Sequence, residues 1–103
     1  MMKIKENKDS TKVKIGGHCY HIRFEKDLAR NYDSAGMSCA HELNIVLDPD
    51  GKKSYINEVF WHEVVEQINF LHELGLPHGT ITTIGTCLQQ ILSDNPETVE
   101  EFT

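Results

Sequence analysis

The spacing of apolar residues changes near Ser54, and this change restricts the folds open to the chain. Before it, apolar and polar residues alternate along KVKIGGHCYHIRF (12–24) and ELNIVLD (42–48), a period typical of β-strands. After it, apolar residues recur at intervals of three and four along 54–74 and again along 79–93, which indicates helices. A chain with strands first and helices second is expected to form an α+β domain.

Three strands are predicted from the alternating segments, at 12–16, 18–24 and 41–48. Gly16 and Gly17 tolerate the positive φ angles that a tight hairpin turn between the first two strands requires. The polar segment 25–38 is predicted to be a loop with one helical turn. Ser54 is the expected N-cap of the first helix, and Gly75 suits the position just after its end. We therefore expect a small antiparallel sheet followed by a two-helix hairpin.

The length and charge of the chain limit its organisation and its partners. The 103 residues suffice for one domain, predicted at 12–96, between a flexible basic leader at 1–11 and an acidic tail at 97–103. No apolar run approaches the ~18–20 residues of a membrane span. The net charge of −6 disfavours nucleic acid as a partner, because proteins that bind it usually show a basic face. We therefore expect neither a membrane nor a nucleic-acid partner.

The number and spacing of the cysteines indicate in which cellular compartment the protein is expected. The chain has three of them, widely spaced and without a C-x-x-C pair. An odd, scattered set of this kind favours reduced thiols and a cytoplasmic location. The lysine-rich start also lacks the apolar stretch of a secretory signal. The sequence leaves the oligomeric state open.

The first predicted helix carries a narrow polar stripe on an otherwise apolar surface. At 100° per residue, four polar residues fall within roughly 60° of one another: His62, Glu66, Asn69 and Glu73. Apolar residues flank the stripe on both sides, and mainly Glu63 and Gln67 interrupt the remaining circumference. A helix that is apolar nearly all round is expected to be buried, so its polar row should face groups that satisfy it. We therefore expect His62 and Glu66 to be largely buried, with or without a metal.

His62 and Glu66 are spaced i, i+4, so their side chains can converge on one ion. In the H-E-x-x-H motif this spacing lets two imidazoles hold Zn²⁺ while the intervening glutamate activates a water molecule. A carboxylate is an ordinary zinc ligand. Glu66 is therefore a candidate replacement for the second histidine, and Glu63 keeps the general-base position. The same spacing also suits a hydrogen-bonded or ionic pair in a packed site without metal.

The third ligand is less well determined by the spacing. Glu73 lies about 10 Å beyond Glu66 along the helix, too far to share an ion with it. His78 stands near the start of the second helix, and in a simple hairpin it would lie level with Glu73. It reaches the ion only if the segment 75–80 folds back or the first helix ends early. Otherwise His78 is expected to pack at the Glu73 end of the first helix.

The motifs together resemble a known family. VKIGGHCYHIRF, ELNIVLD and FWHEVVEQINFLHELGLPHGTITTIGTCLQQILSDNP are similar to segments of the small zincin-like proteins encoded by bacteriophages and prophages. The resemblance covers residues 12–96. His62 and Glu63 match the first metal ligand and the catalytic glutamate of the family. Where the family has its second histidine ligand, this chain has Glu66. Thr82 stands near the position at which many members have a third, acidic ligand. Some of these proteins combine H-E-x-x-E with a later L-P-H, as this chain does.

The resemblance implies a minimal zincin-like fold and a zinc-dependent peptidase acting on a peptide or protein. It assigns the metal to His62, Glu66 and His78, and it assigns to Glu63 the deprotonation of a water molecule that attacks a peptide carbonyl. Two ligand positions depart from the typical family pattern. A metal-free, catalytically inactive interaction module that keeps the fold therefore remains the alternative, and the substrate is open.

Overall fold

The α+β class is confirmed by a computed structural model of the protein, which describes residues 11–103. Within them the strands are β1 (Lys12–Ile15), β2 (His18–Phe24), β3 (Gly36–Cys39) and β4 (Asn44–Leu47). The helices are α1 (Leu28–Tyr32), α2 (Lys53–His72), α3 (His78–Asp94) and α4 (Pro96–Glu101). Apart from Thr11, the predicted leader lies outside the described residues.

The strands form one mixed sheet in the order β1-β2-β4-β3. β1 and β2 make the predicted antiparallel hairpin, with Gly16 and Gly17 at φ angles of 59° and 85° in its turn. β2 and β4 run parallel, so the expectation of a wholly antiparallel sheet is corrected at this pair. The connection after β2 carries the chain to the far edge, where it forms β3. The chain then turns back, and β4 enters between β2 and β3 in the direction of β2.

β3 was not predicted, because it lies in the segment interpreted as a loop. Its sequence, GMSC, has no apolar alternation, and it is a strand because it pairs along its length with β4. The predicted third strand is also shorter than expected. Residues 40–43 form the turn between β3 and β4, in which Leu43 has a φ of 54° and its N–H donates to the carbonyl of Ala40. Local periodicity does not reveal pairing between distant segments.

The two long helices match their predicted segments to within two residues at each end. Lys52 is the N-cap of α2, so the prediction that Ser54 caps this helix is wrong. The C-cap of this helix is Glu73, which adopts the left-handed conformation with a φ of 52°. α3 follows Pro77, whose missing N–H and fixed φ suit a helix start. The predicted acidic tail contains most of α4, which begins at Pro96. Among residues 11–103, no helix is long and apolar enough to cross a bilayer.

The core lies between α2 and one face of the sheet. It consists of buried side chains from the first, second and fourth strands and from α2: Ile15, Tyr20, Ile22, Ile45, Leu47 and Val64. α3 packs against α2 on the side of Gly85, which is buried. A Cβ atom at Gly85 would lie 2.9 Å from the backbone N and Cα of His62. The two helix backbones therefore touch at His62, and only glycine permits this approach.

Substitution of Gly85 by alanine tests this contact. Alanine is intrinsically the better helix former by about 1 kcal/mol, but its methyl group would meet backbone atoms that cannot rotate away. We expect Gly85→Ala to lower the free energy of unfolding by about 1–3 kcal/mol in urea titrations. Gly79→Ala, in the same helix with no atom within 4 Å of the added methyl, is the control and should be neutral or slightly stabilising. Equal effects of the two changes would contradict the packing described.

A carboxylate fixes the segment between β4 and α2. Asp48 is buried, and its two oxygens accept hydrogen bonds from the backbone N–H groups of Ala29 and Asp50, both at 2.9 Å. These two hydrogen bonds, first the one from Ala29, hold the pKa of Asp48 below its ordinary value of 3.8. The charged side chain thereby ties α1 to the turn that leads into α2.

The sign of this pKa shift predicts a pH dependence of stability. Because the folded-state pKa is lowered, the contribution of Asp48 is fully present above the ordinary pKa and is lost as pH falls through the folded-state value. We expect Asp48→Asn to be less stable than the wild type at neutral pH and the difference to shrink under acid. Urea unfolding of both proteins at a series of pH values measures this. Parallel stability profiles would contradict the assignment.

Candidate metal centre

The side chains of His62, Glu66 and His78 meet where α2 and α3 pack together. His62 Nε2 lies 3.3 Å from Glu66 Oε2, and His78 Nδ1 lies 3.8 Å from the same oxygen. One candidate ligand atom from each residue lies within 4.8 Å of the other two. In tetrahedral zinc with bonds of ~2.1 Å, ligand atoms are about 3.4 Å apart. Two imidazole nitrogens and one carboxylate oxygen grouped within 4.8 Å form a donor set that could hold a metal ion.

His78 reaches this cluster because the chain folds back after α2. The N–H of Leu74 donates to the backbone carbonyl of Asn69, and the N–H of Leu76 donates to Asn69 Oδ1 at 2.8 Å. These bonds turn the segment 73–77 along the side of α2. His78 therefore lies beside Glu66. A simple hairpin would have placed it level with Glu73. Asn69 belongs to the polar stripe of α2, so part of the stripe is satisfied by this turn.

The polar stripe is partly covered by α3. The side chains of His62 and Glu66 are 17% and 33% exposed, so both are partly buried, and the prediction that they are largely buried holds better for His62 than for Glu66. His78 is 76% exposed and leaves the cluster open to solvent on one side. Phe70, one of the apolar residues that flank the stripe, is 63% exposed. The apolar surround inferred from the helix geometry is therefore incomplete at the Phe70 end.

Thr82 supports His62 from α3. Its hydroxyl oxygen lies 3.4 Å from His62 Nδ1, a long hydrogen-bond distance. The other ring nitrogen, Nε2, faces Glu66. A hydroxyl that contacts one ring nitrogen of a histidine orients the imidazole, while the other ring nitrogen stays available to bind a metal. Thr82 thus stands beside the cluster, at the position where the resemblance would place an acidic ligand.

Glu63 faces the sheet side of α2 and is held by a chain of hydrogen bonds. Tyr20 donates from its hydroxyl to Gln67 Oε1 at 2.7 Å, and Gln67 Nε2 donates to Ser38 Oγ at 2.9 Å. Ser38 Oγ in turn donates to Glu63 Oε1 at 2.7 Å. Tyr20 is completely buried, and Glu63 and Gln67 are nearly so. We refer to these four residues as the buried network.

The surroundings of Glu63 change its acidity. Burial raises the pKa of the Glu63 carboxyl above its ordinary value, whereas the Ser38 hydrogen bond and the nearby His62 and His78 act in the opposite direction. A raised pKa brings a carboxylate closer to the range in which it exchanges a proton at neutral pH. The net direction of the shift at Glu63 is upward, because burial outweighs the effects that lower the pKa.

Two clefts meet at the candidate metal centre and form one groove. The clefts have Ser34, Gly36, His62, Glu63 and His78 in common. One, of about 330 Å³, continues to Tyr55 and Glu58 in the first turns of α2. The other, of about 500 Å³, continues to Asn69 and Phe70. β3, at the edge of the sheet, borders this groove, and the cluster lies near its middle.

The candidate ligands were named from the sequence, whereas the buried network was not. The structure brings together all four predicted site residues: His62, Glu63, Glu66 and His78. Glu63 and Gln67 are themselves an i, i+4 polar pair that interrupts the apolar surface of α2. This pattern could have predicted that Gln67 is a buried polar residue with a hydrogen-bond partner. Ser38 had no such signal, because it lies in the segment that was predicted to be a loop.

The resemblance rests on the motifs alone. Comparisons with protein-family models, curated proteins and solved structures found no match to this chain. The similarity to phage-encoded zincin-like proteins therefore stays a prediction.

The turn that positions His78 can be tested without metal. Asn69→Ala removes the acceptor for the Leu76 N–H, so we expect amide hydrogen exchange at Leu76 to accelerate by about tenfold, equivalent to ~1.4 kcal/mol for one lost hydrogen bond. Asn69→Asp keeps an oxygen acceptor at the same position and should retain protection. Rapid exchange of Leu76 in the wild type, or unchanged exchange in Asn69→Ala, would contradict the described turn.

Proposed function

We propose that the protein is a zinc-dependent peptidase in which His62, Glu66 and His78 hold the metal and Glu63 is the general base. The observation that carries this proposal is the convergence of the three ligand atoms within 4.8 Å beside a buried glutamate. Catalytic zinc sites typically use three protein ligands, two histidines and a glutamate among them, and keep a fourth position open. The exposure of His78 leaves this cluster accessible from the groove.

The residues around the metal position divide the chemistry between them. Zinc, when bound, supplies a Lewis acid that acidifies water and polarises a carbonyl group. Ser38 holds Glu63 through Oε1, and within residues 11–103 no hydrogen bond engages Oε2. Glu63 takes a proton from water as the water oxygen bonds to the peptide carbonyl carbon. It returns the proton to the leaving nitrogen as the C–N bond breaks.

The groove supports a peptide as the substrate. β3 is a terminal strand of the sheet, with no neighbour on its outer side among the described residues. An extended peptide can add to such an edge through backbone hydrogen bonds. The groove continues past the candidate metal centre in both directions, which suits a chain that crosses the site.

A metal-free interaction module is the second candidate, and one observation favours it. Glu66 already contacts both His62 and His78. In the described part of the chain, no buried side-chain nitrogen or oxygen lacks a hydrogen-bond partner. The cluster can therefore persist as an ionic and hydrogen-bonded group. In that case the groove would bind a peptide without cleaving it.

The biological setting is proposed from the sequence. We propose a phage or prophage origin on the motif resemblance alone. We propose a cytoplasmic location because three scattered cysteines suit a reducing compartment. The negative net charge remains the argument against a nucleic-acid partner.

Zinc stoichiometry separates the two candidates. For a working centre, elemental analysis of the purified protein should give about one zinc per chain, as three ligands around one position imply. Glu63→Gln should keep the zinc and lower hydrolysis by about 10²-fold or more, because it removes the base but no ligand. His62→Ala should lose the zinc and the stability that zinc confers. His72→Ala, which changes an exposed histidine of the same helix outside the cluster, is the matched control.

The interaction module predicts a different pattern. The wild type would bind no zinc even after dialysis against it, and His62→Ala would cost only about 1–3 kcal/mol from lost hydrogen bonding. That result would defeat the peptidase proposal. Stoichiometric zinc without hydrolysis of any peptide in a diverse library would instead indicate a structural metal site.

A further inference from the structure

A second cavity opens beside the groove at the start of α2. Its volume is about 240 Å³, and it is lined mainly by apolar side chains: Ala29, Ala35, Leu47, Tyr55, Ile56 and Val59. Ala35, Tyr55 and Val59 also line the groove. We call this cavity the side pocket. The groove and the side pocket therefore adjoin along these three residues, so a ligand lying in the groove passes next to the side pocket.

The side pocket lies within reach of a side chain of the bound peptide, at a residue close to the peptide bond that would be cleaved. Val59 precedes Glu63 by four residues, which is one helical turn or about 6 Å along α2. Side chains on the same face of an extended peptide are about 6.5–7 Å apart. If the carbonyl group to be attacked lies beside Glu63, a side chain of the peptide close to that carbonyl would therefore lie beside Val59, one helical turn away. Ala35 directly precedes β3, so a peptide that follows the strand edge passes the entrance of the pocket.

The lining selects an apolar occupant. Both oxygens of Asp48, the buried acidic residue in the wall, already accept backbone hydrogen bonds from Ala29 and Asp50. Asp50 is exposed, so its carboxylate remains hydrated. The volume exceeds the roughly 150 Å³ that suffices to hold a benzene ring in an apolar cavity. Ala29 and Ala35 are small, which keeps this space available.

We propose that the side pocket receives a leucine-sized apolar side chain of the peptide bound in the groove. This inference deepens the proposed function and rests on it for the identity of the ligand as a peptide substrate. It makes the side pocket the determinant of sequence preference, whereas the metal centre determines the reaction. A basic side chain would have to leave water for a mainly apolar wall, and a glycine would leave the pocket unfilled.

A titration monitored by NMR tests the pocket separately from catalysis. N-acetyl-leucine amide, N-acetyl-lysine amide and N-acetyl-glycine amide are added in turn to zinc-free protein with labelled methyl groups. We expect the leucine probe to shift the methyl signals of Leu47 and Val59 in a saturable manner, with an affinity about 10-fold or more above that of the glycine probe. The lysine probe should resemble the glycine probe.

Two alanine-to-leucine variants, one in the side pocket and one outside it, test whether the leucine probe binds in the side pocket. Ala29 is exposed and lines the side pocket, so Ala29→Leu should narrow the pocket and abolish the leucine-specific shifts. Ala40→Leu makes the same change in the turn between β3 and β4, away from the side pocket, and should leave the shifts intact. Equal shifts with all three probes, or persistence of the leucine shifts in Ala29→Leu, would overturn the inference.

Cleavage of a mixed peptide library by zinc-loaded protein provides the second readout. Cleavage sites enriched in leucine-sized apolar residues at one position near the bond would support the inference. Hydrolysis without such enrichment, together with unshifted Leu47 and Val59 signals, would overturn it and leave the peptidase proposal standing. Leucine-specific shifts in a protein that binds no zinc and cleaves nothing would support the pocket and defeat the peptidase proposal.

Discussion

The pairing of two buried polar side chains determines how the helices lie on the sheet. Glu63 and Gln67 occupy the face of α2 that packs on the strands, where an unpaired polar group costs roughly 1–3 kcal/mol. Tyr20 and Ser38 supply the partners, one from the middle of the sheet and one from its edge. Sliding α2 along the sheet would break this chain of hydrogen bonds. The buried network thus fixes the register of the helix and the orientation of the Glu63 carboxylate together.

Once α2 is fixed, the neighbouring face of the helix, which carries His62 and Glu66, is available for the ligand cluster. Gly85 lets α3 approach the backbone of α2 at His62, and Asn69 turns the intervening chain so that α3 begins beside Glu66. His78, the first residue of α3, then lies next to the other two candidate ligands. Each of these steps depends on one residue whose role is steric or hydrogen-bonding. The arrangement of the three candidate ligands is therefore a consequence of helix packing.

The sequence predicted those features that repeat locally and failed for those that depend on distant partners. The periods of two and of about three and a half located the β1–β2 hairpin, α2 and α3. The parallel pairing of β2 with β4 and the strand β3 depend on residues far apart in sequence, and GMSC carries no periodic signal. Spacing alone identified the His62–Glu66 pair, whereas the position of His78 required the turn that Asn69 stabilises. Ser38 could not be found, because its role exists only after β3 has joined the sheet.

The buried carboxylate of Glu63 bears differently on the two candidate functions. A glutamine there could accept the same hydrogen bond from Ser38 and would avoid the cost of burying a charge. The ligand cluster does not favour the peptidase in this way, because the contacts of Glu66 with His62 and His78 also suit a group without metal. A buried carboxylate with a raised pKa, one oxygen held by Ser38 and the other without a hydrogen bond in the described chain, suits proton transfer better than it suits packing. The position of this one acid therefore favours the peptidase over the interaction module.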